Sequence, residues 1–143
     1  MKKNLQKLTG LLLALVMALS LAACAPVVED KDETPEVPVA DGATIGEGSK
    51  TFTMEVTDAD GKVVTFTVRS DEQTVGAALL ALGIIAGDDS QYGLYVKTVN
   101  GITADYDKDQ TWWGFYVDGV SASVGVDSTD ITDGSTYGFK VEK

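Results

Sequence analysis

The stretch that decides the fold runs from residue 92 to residue 119 and reads YGLYVKTVNGITADYDKDQTWWGFYVDG. It contains both tryptophans and four of the five tyrosines of the chain. Residues 95–100 and 112–117 alternate in polarity, which predicts two half-buried strands. The pairs Asn100-Gly101 and Asp118-Gly119 favour tight hairpin turns. Aromatic residues at this density either fill the core of a small domain or line its binding face.

The second of these strands is apolar on both of its faces. Alternation places Trp112, Gly114 and Tyr116 on one face and the intervening residues 113, 115 and 117 on the other. One face then covers the helix side of the sheet. The other face either packs on something else or forms an exposed aromatic surface, which suits a bulky apolar-faced ligand or a sugar ring.

The segments on either side of this stretch complete a small domain. Residues 51–57 and 64–68 alternate around a turn and predict a β-hairpin. Residues 75–82 have helical spacing, follow capping residues and end at Gly83. We expect a connector over 84–91, an acidic loop over 104–110, a short strand or arm over 120–125 and a last strand over 137–141. This order predicts an α+β fold, a β-grasp-like single domain with one short helix packed on a mixed or antiparallel sheet.

The N-terminus has the layout of a secretory signal peptide. Three lysines precede an apolar run over residues 11–21, which is short for a membrane span, and Leu21-Ala22-Ala23-Cys24 follows at once. This LAAC sequence resembles the bacterial lipobox, in which the cysteine becomes the lipidated first residue of the mature chain. We therefore predict a lipoprotein signal peptide over 1–23, lipidation at Cys24, and an exported protein anchored to the outer face of the cell membrane.

Residues 24–49 contain all three prolines, many acidic residues and no aromatic residue, so we predict a disordered tether ahead of a folded domain at 50–143. Cleavage before Cys24 removes three of the 11 basic residues and none of the 22 acidic ones, which leaves 8 against 22 and a net charge of −14. Such a charge repels nucleic acid and anionic lipid. Cations, neutral ligands and basic proteins remain as partners.

Residues needed for common catalytic chemistry are absent from the sequence. There is no histidine, the single cysteine is assigned to the lipid, and no glycine-rich phosphate loop occurs. We expect a non-enzymatic protein that requires no cofactor.

Asp105, Asp107 and Asp109 occupy the first, third and fifth positions of a segment that begins like an EF-hand loop. Gln110 stands at the sixth position, where that loop needs glycine, and Tyr116 stands at the twelfth, where it needs glutamate. The segment is therefore not an EF-hand. A looser calcium site and a solvated acidic loop remain the two interpretations.

The sequence resembles the transcobalamin-like C-terminal domain family of bacterial surface lipoproteins over residues 51–142. The matching motifs are Thr74-Val75 with Leu79, Gly93-Leu94-Tyr95-Val96, Asn100-Gly101, Trp113 with Gly119, and Asp133-Gly134. The family is named after the smaller domain of the animal cobalamin carriers, in which a large helical domain closes over the ligand. No such helical domain is seen in this sequence.

The resemblance implies a β-grasp-type domain that presents one face to the corrin ring of a cobalamin. Carried over residue by residue, it places ligand contacts at Gly93, Leu94, Tyr95, Ala122, Ser123 and Val124. The implied function is non-enzymatic binding of a small ligand, most naturally a corrinoid, which the protein hands to an uptake system. An envelope module that recognises a protein or a glycan, and a calcium-binding domain, are the alternatives.

Overall fold

The computed structural model describes residues 34–143, which form nine strands, two short α-helices and one 3-10 turn. The predicted signal peptide, Cys24 and the tether as far as residue 33 lie outside the described residues. In chain order the elements are β1 Thr44–Ile45, β2 Lys50–Thr57, β3 Val63–Ser70, α1 Val75–Ala81, β4 Ile85–Ser90, β5 Gly93–Val99, β6 Ile102–Thr103, α2 Tyr106–Asp109, β7 Trp112–Val117, β8 Val120–Ser121, the 3-10 turn Val126–Ser128 and β9 Thr136–Glu142.

Strands β2 and β3 form the predicted hairpin. Phe52 pairs with Val68 and Met54 pairs with Phe66 in antiparallel register. These four side chains are buried, because alternation along each strand turns them to the same face. The prediction of a hairpin here is confirmed.

The larger sheet has six strands in the order β1-β3-β2-β9-β7-β8. It is mixed, since β2 is parallel to β9 while β7 is antiparallel to β9. Its inner face contributes Phe52, Tyr137 and Phe139 to one hydrophobic cluster, which also includes Leu79 from α1 and Val99 from β5. The described part of the chain is thus mostly sheet with one short core-packed helix, as the predicted α+β class requires.

A second sheet of three strands, in the order β4-β5-β6, was not foreseen. The predicted connector over 84–91 contains β4, which pairs antiparallel with β5. All residues of β4 except Ile85 are exposed, so the sequence lacks the alternation that would mark a strand. Gly87 allows the pairing, because an ideal Cβ there would lie 1.9 Å from the Tyr95 carbonyl oxygen.

Helix α1 begins and ends where the sequence predicts, within one residue. The Thr74 hydroxyl caps it by accepting a hydrogen bond from the Ala77 N–H at 3.2 Å, and Gly83 follows its end at φ +70°. Gly76 within the helix lies against the 3-10 turn, since a Cβ there would be 2.7 Å from the Asp127 Cα. Within residues 34–143, no helix has the length and apolar character that crossing a membrane requires.

Residues 39–49 are packed on the domain, although the sequence places them in a disordered tether. Val39 is buried, and Asn100 binds both its N–H and its carbonyl oxygen. β1 pairs parallel with β3, and the Ser49 N–H and hydroxyl both donate to the Asp71 carboxylate. Composition could not show this, because the partners of these residues, Asn100, β3 and Asp71, are distant from them in the sequence. The start of the domain is therefore corrected from residue 50 to a point before Val39.

Candidate functional site: an aromatic cleft

An open cleft of about 320 Å³ lies between β5 of the small sheet and β7 of the large sheet. We call it the aromatic cleft. The residues that line it are Leu94, Tyr95, Val96, Tyr106, Trp112, Trp113, Phe115, Gly125, Val126 and Phe139. Its volume falls at the lower end of the range for small-molecule sites, and its lining is mainly apolar and aromatic, as such sites usually are.

Three aromatic side chains at the cleft retain surface that a ligand could cover. Tyr95 on β5 is 42% exposed and Tyr106 on α2 is 56% exposed. Trp112 at the start of β7 is half-buried, and its ring lies 6.2 Å from the Tyr106 ring at an interplanar angle of 55°. These tilted rings present apolar faces beside phenol hydroxyls, an arrangement suited to a ring-shaped ligand with polar substituents.

The back of the cleft is fixed by buried aromatic packing and one cross-sheet hydrogen bond. Trp113 packs edge-on against Phe139, with ring centroids 6.4 Å apart. Its Nε1–H donates to the Lys97 carbonyl oxygen at 3.0 Å. Lys97 is in β5 and Trp113 is in β7, so this bond connects the two sheets across the cleft. It also satisfies the indole N–H, which would be costly to bury without a partner.

Charged groups lie outside the apolar lining. The Lys97 ammonium is 2.8 Å from the Asp88 carboxylate, and this hydrogen-bonded contact raises the pKa of Lys97. On the outer face of the large sheet, the Tyr116 hydroxyl donates to Glu142, a bond that raises the pKa of Tyr116. Neither Lys97 nor Glu142 lines the cleft.

The predicted ligand residues are only partly brought together. Leu94 and Tyr95 line the cleft, but Gly93 does not. The carboxylate of Asp127 fills the place where a ligand was expected to approach Gly93, since a Cβ on Gly93 would lie 2.8 Å from its Oδ2 atom. Gly93 is needed there for its φ of +101° and for this close packing.

The other predicted group follows β8 and does not line the cleft; it comprises Ala122, Ser123 and Val124. The next two residues, Gly125 and Val126, do line it. The carried-over motif thus ends directly before the cleft wall. Sequence reasoning also missed Tyr106, which lies in the predicted acidic loop, and Asp127, for which it gave no role.

Two of the three aspartates of the acidic loop have local structural roles. Asp105 caps α2 by accepting from the Asp107 N–H at 3.0 Å. Asp109 accepts from both the N–H and the hydroxyl of Thr111, and the hydroxyl bond above all lowers the pKa of Asp109. Across residues 34–143, no three His, Cys, Asp or Glu side chains are grouped so that they could hold a metal ion. The expectation of a calcium site at this loop finds no support in the geometry.

Two further depressions are less suited to a ring-shaped ligand. One of about 200 Å³ lies over Tyr116 and Gly138 on the outer face of the large sheet. A larger one of about 630 Å³ lies between residues 38–41, the turn between β2 and β3, and the Asn100-Gly101 turn. Asn100 at its floor already uses its side-chain oxygen and nitrogen on Val39. The aromatic cleft is the depression in which several exposed rings converge.

Comparison with known proteins gives a family without an assigned activity. Residues 72–143 match the model of a family described as a domain of unknown function, DUF4430. The matched region runs from just before α1 to the end of the chain and therefore includes the whole aromatic cleft. Among curated proteins, none matches this chain.

The solved structures that are similar to this chain include the following two. One is the crystal structure of a candidate metal-binding protein from Ruminococcus gnavus ATCC 29149, with 27% sequence identity and a TM-score of 0.63 over 66% of this chain and 98% of that chain. The other is haptocorrin in complex with Cbi, with 18% identity and a TM-score of 0.49 over 69% of this chain and 26% of that chain.

Proposed function

The chain belongs to the DUF4430 family, and we propose that it is a non-enzymatic binding protein whose aromatic cleft holds one face of a small ring-shaped ligand. The observation that carries this proposal is the meeting of Tyr95, Tyr106 and Trp112 over a cleft of about 320 Å³. Partly exposed rings in a concave site bind apolar ring faces, while their hydroxyl and indole groups remain free for polar substituents.

A corrinoid is the ligand class that we propose first. This choice comes from the resemblance to the transcobalamin-like C-terminal domain family. The mixed sheet, in which β2 is parallel to β9, supports the β-grasp architecture that the resemblance implies. A cobalamin is too large to enter a cleft of this size. It would lie across the opening with one face on Tyr95 and Trp112, and another chain would cover the rest.

Location follows from the N-terminal sequence. A signal peptide and a lipidated Cys24 would hold the domain outside the cell membrane, where a binding protein of this kind passes its ligand to an uptake system. A metal-binding function is not proposed, because Asp105 and Asp109 are engaged in capping and turn contacts.

The test is calorimetric titration of the full chain, in mild detergent, with cyanocobalamin. Saturable heat is expected for the wild type. Tyr95→Ala should weaken binding about 30-fold, because removing an aromatic contact at the centre of a site costs about 2 kcal/mol.

Tyr92→Ala is the matched control. Tyr92 is three residues away, is 88% exposed and does not line the cleft, so its removal should leave affinity unchanged. No heat with the wild type, or equal weakening in both variants, would contradict the proposal of a corrinoid site at the aromatic cleft. Glycans with a planar sugar face would then be titrated against the same pair of variants.

A further inference from the structure

One carboxylate connects the two walls of the aromatic cleft. Asp127 lies in the 3-10 turn, directly after Gly125 and Val126 of one wall. Its Oδ2 atom accepts a hydrogen bond from the N–H of Leu94, which belongs to the opposite wall, at 3.0 Å. Leu94 and Asp127 are 33 residues apart in sequence, so the contact is tertiary.

Three glycines leave room for this aspartate. An ideal Cβ on Gly93 would lie 2.8 Å from the Oδ2 atom, and one on Gly125 would lie 3.0 Å from the Oδ1 atom. A Cβ on Gly76 of α1 would lie 2.7 Å from the Asp127 Cα. Side chains at these positions would force the carboxylate or its backbone to move. The glycines of three separate segments therefore share one function, which is close packing around Asp127.

The other oxygen of this carboxylate has no partner. Asp127 Oδ1 is the one buried side-chain nitrogen or oxygen in the described part of the chain that makes no hydrogen bond. Burying an acceptor without a partner opposes folding, and native proteins hold few such groups. The bond to Leu94 and the unpartnered oxygen together argue that Asp127 does more than stabilise the fold.

We propose that Asp127 is a positioning residue, which holds the Leu94–Val96 backbone of β5 at the distance from the 3-10 turn that the ligand requires. The reason is geometric. β4, the outer neighbour of β5, is almost wholly exposed and cannot fix β5 by core packing, while β6 pairs only with its last two residues. The effect of Asp127 on ligand affinity rests on the proposed function. The positioning of β5 by Asp127 does not depend on any ligand.

The experiment compares Asp127→Ala with Asp127→Asn in the full chain. Alanine removes the acceptor of the Leu94 N–H, whereas asparagine keeps a neutral acceptor and loses the charge. We expect the Kd for cyanocobalamin to rise about tenfold in D127A and about twofold in D127N. Amide hydrogen exchange should accelerate at residues 94–96 in D127A, with no comparable acceleration in the β2–β3 hairpin.

These readouts separate positioning from general stability. A merely structural role would accelerate exchange throughout the domain and lower the affinity only by the fraction of unfolded protein. A folded D127A with local acceleration and unchanged Kd would overturn the proposal, as would unchanged exchange at Leu94. If the wild type binds no cobalamin, the proposed function fails. The comparison of hydrogen exchange in D127A and the wild type then still shows whether Asp127 positions β5, since the acceleration should be confined to residues 94–96.

A further measurement covers the case in which D127A does not fold. In D127N, which keeps a neutral acceptor, the Leu94 amide should exchange faster than in the wild type, because a hydrogen bond to a neutral acceptor is weaker than one to a carboxylate. Equal exchange at Leu94 in the two proteins would overturn the proposed contact.

Discussion

The β2–β3 hairpin and the β4–β5 hairpin consist of strands of similar length, yet they are held in place differently. The first buries alternate side chains such as Met54 and Phe66, and the hydrophobic core holds it. The second exposes nearly all of β4 and buries fully only Ile85 and Val99, and two hydrogen bonds add to this packing, from Trp113 to Lys97 and from Leu94 to Asp127. The wall of the candidate site thus belongs to the hairpin that has fewer buried side chains and relies more on polar contacts.

The largest loss of stability is expected in the first hairpin, which the hydrophobic core holds in place. Phe66→Ala should lower the free energy of unfolding by about 3–5 kcal/mol, because it removes a fully buried ring from the first hairpin. Val96→Ala in the second hairpin should lower it by about 1 kcal/mol, since that side chain is only half-buried. Urea denaturation measures both. Equal losses of unfolding free energy in the two variants would contradict the proposed difference between the hairpins.

Asn100 tests the turn at the end of the second hairpin. It adopts φ +49° and binds Val39 through both side-chain atoms, so Asn100→Ala strains the backbone and leaves the buried Val39 N–H without its acceptor. We expect a loss of about 1–3 kcal/mol and faster proteolysis around residues 34–40. Asn100→Asp is the control, since it keeps the acceptor and tolerates the conformation. Equal proteolysis of both variants would argue against this contact.

Trp113 tests the cross-sheet bond itself. Trp113→Phe keeps an aromatic ring against Phe139 but removes the donor to the Lys97 carbonyl, for an expected loss of about 1–2 kcal/mol. Hydrogen exchange should accelerate mainly in β5, and the β2–β3 hairpin should be little affected. Acceleration in both hairpins would show that the core, and not the bond, fixes β5.

The two hairpins should respond to opposite ends of the pH range. Hydrogen bonds from Ser49, from its backbone first and its hydroxyl second, lower the pKa of Asp71 just after β3. That stabilisation is present above the usual aspartate pKa of 3.8 and is lost as pH falls through the lower folded value.

In the second hairpin, the hydrogen bond to Asp88 raises the pKa of Lys97. Its stabilisation is complete below the usual lysine pKa of 10.5 and is lost as pH rises through the higher folded value. Both groups are exposed, so the effects are small. Thermal unfolding of Asp71→Asn, Lys97→Met and the wild type should be compared across pH. Part of the acid dependence of Tm should be lost in the first variant, and part of the alkaline dependence in the second. Unchanged profiles would contradict the assignments.

The smallest effect concerns calcium. Because Asp105 and Asp109 are engaged in local hydrogen bonds, millimolar calcium should leave Tm unchanged, and Asp107→Asn should behave as the wild type. A calcium-dependent rise in Tm that Asp107→Asn abolishes would revive the calcium hypothesis.

The difference between the hairpins also explains what the sequence could predict. Strands β2, β3, β7 and β9 carry alternating apolar residues, and α1 has helical spacing between a threonine cap and a glycine, so their positions were predicted closely. Strand β4 is exposed and contains Gly87-Asp88-Asp89, a pattern typical of a loop. Its pairing with β5 depends on a β-bulge and on a close approach of the two backbones at Gly87. Neither feature leaves a pattern of alternating polar and apolar residues in the sequence.

The candidate site was predicted in part for a related reason. Leu94 and Tyr95 were identified because they belong to a recognisable motif on a strand. Tyr106 reaches Trp112 from the predicted acidic loop, and Asp127 reaches Leu94 through a tertiary hydrogen bond. The three glycines around Asp127 are widely separated in sequence, and only the fold shows that they converge on one carboxylate.

The central claim is that the aromatic cleft between β5 and β7 is the ligand site, and NMR chemical-shift mapping with cyanocobalamin tests it most directly. Saturable shifts should cluster at residues 94–96, at Tyr106 and at the indole groups of Trp112 and Trp113, while the β2–β3 hairpin remains unperturbed. Shifts centred on Tyr116 and Gly138, or on the Asn100-Gly101 turn, would place the ligand elsewhere and contradict the claim.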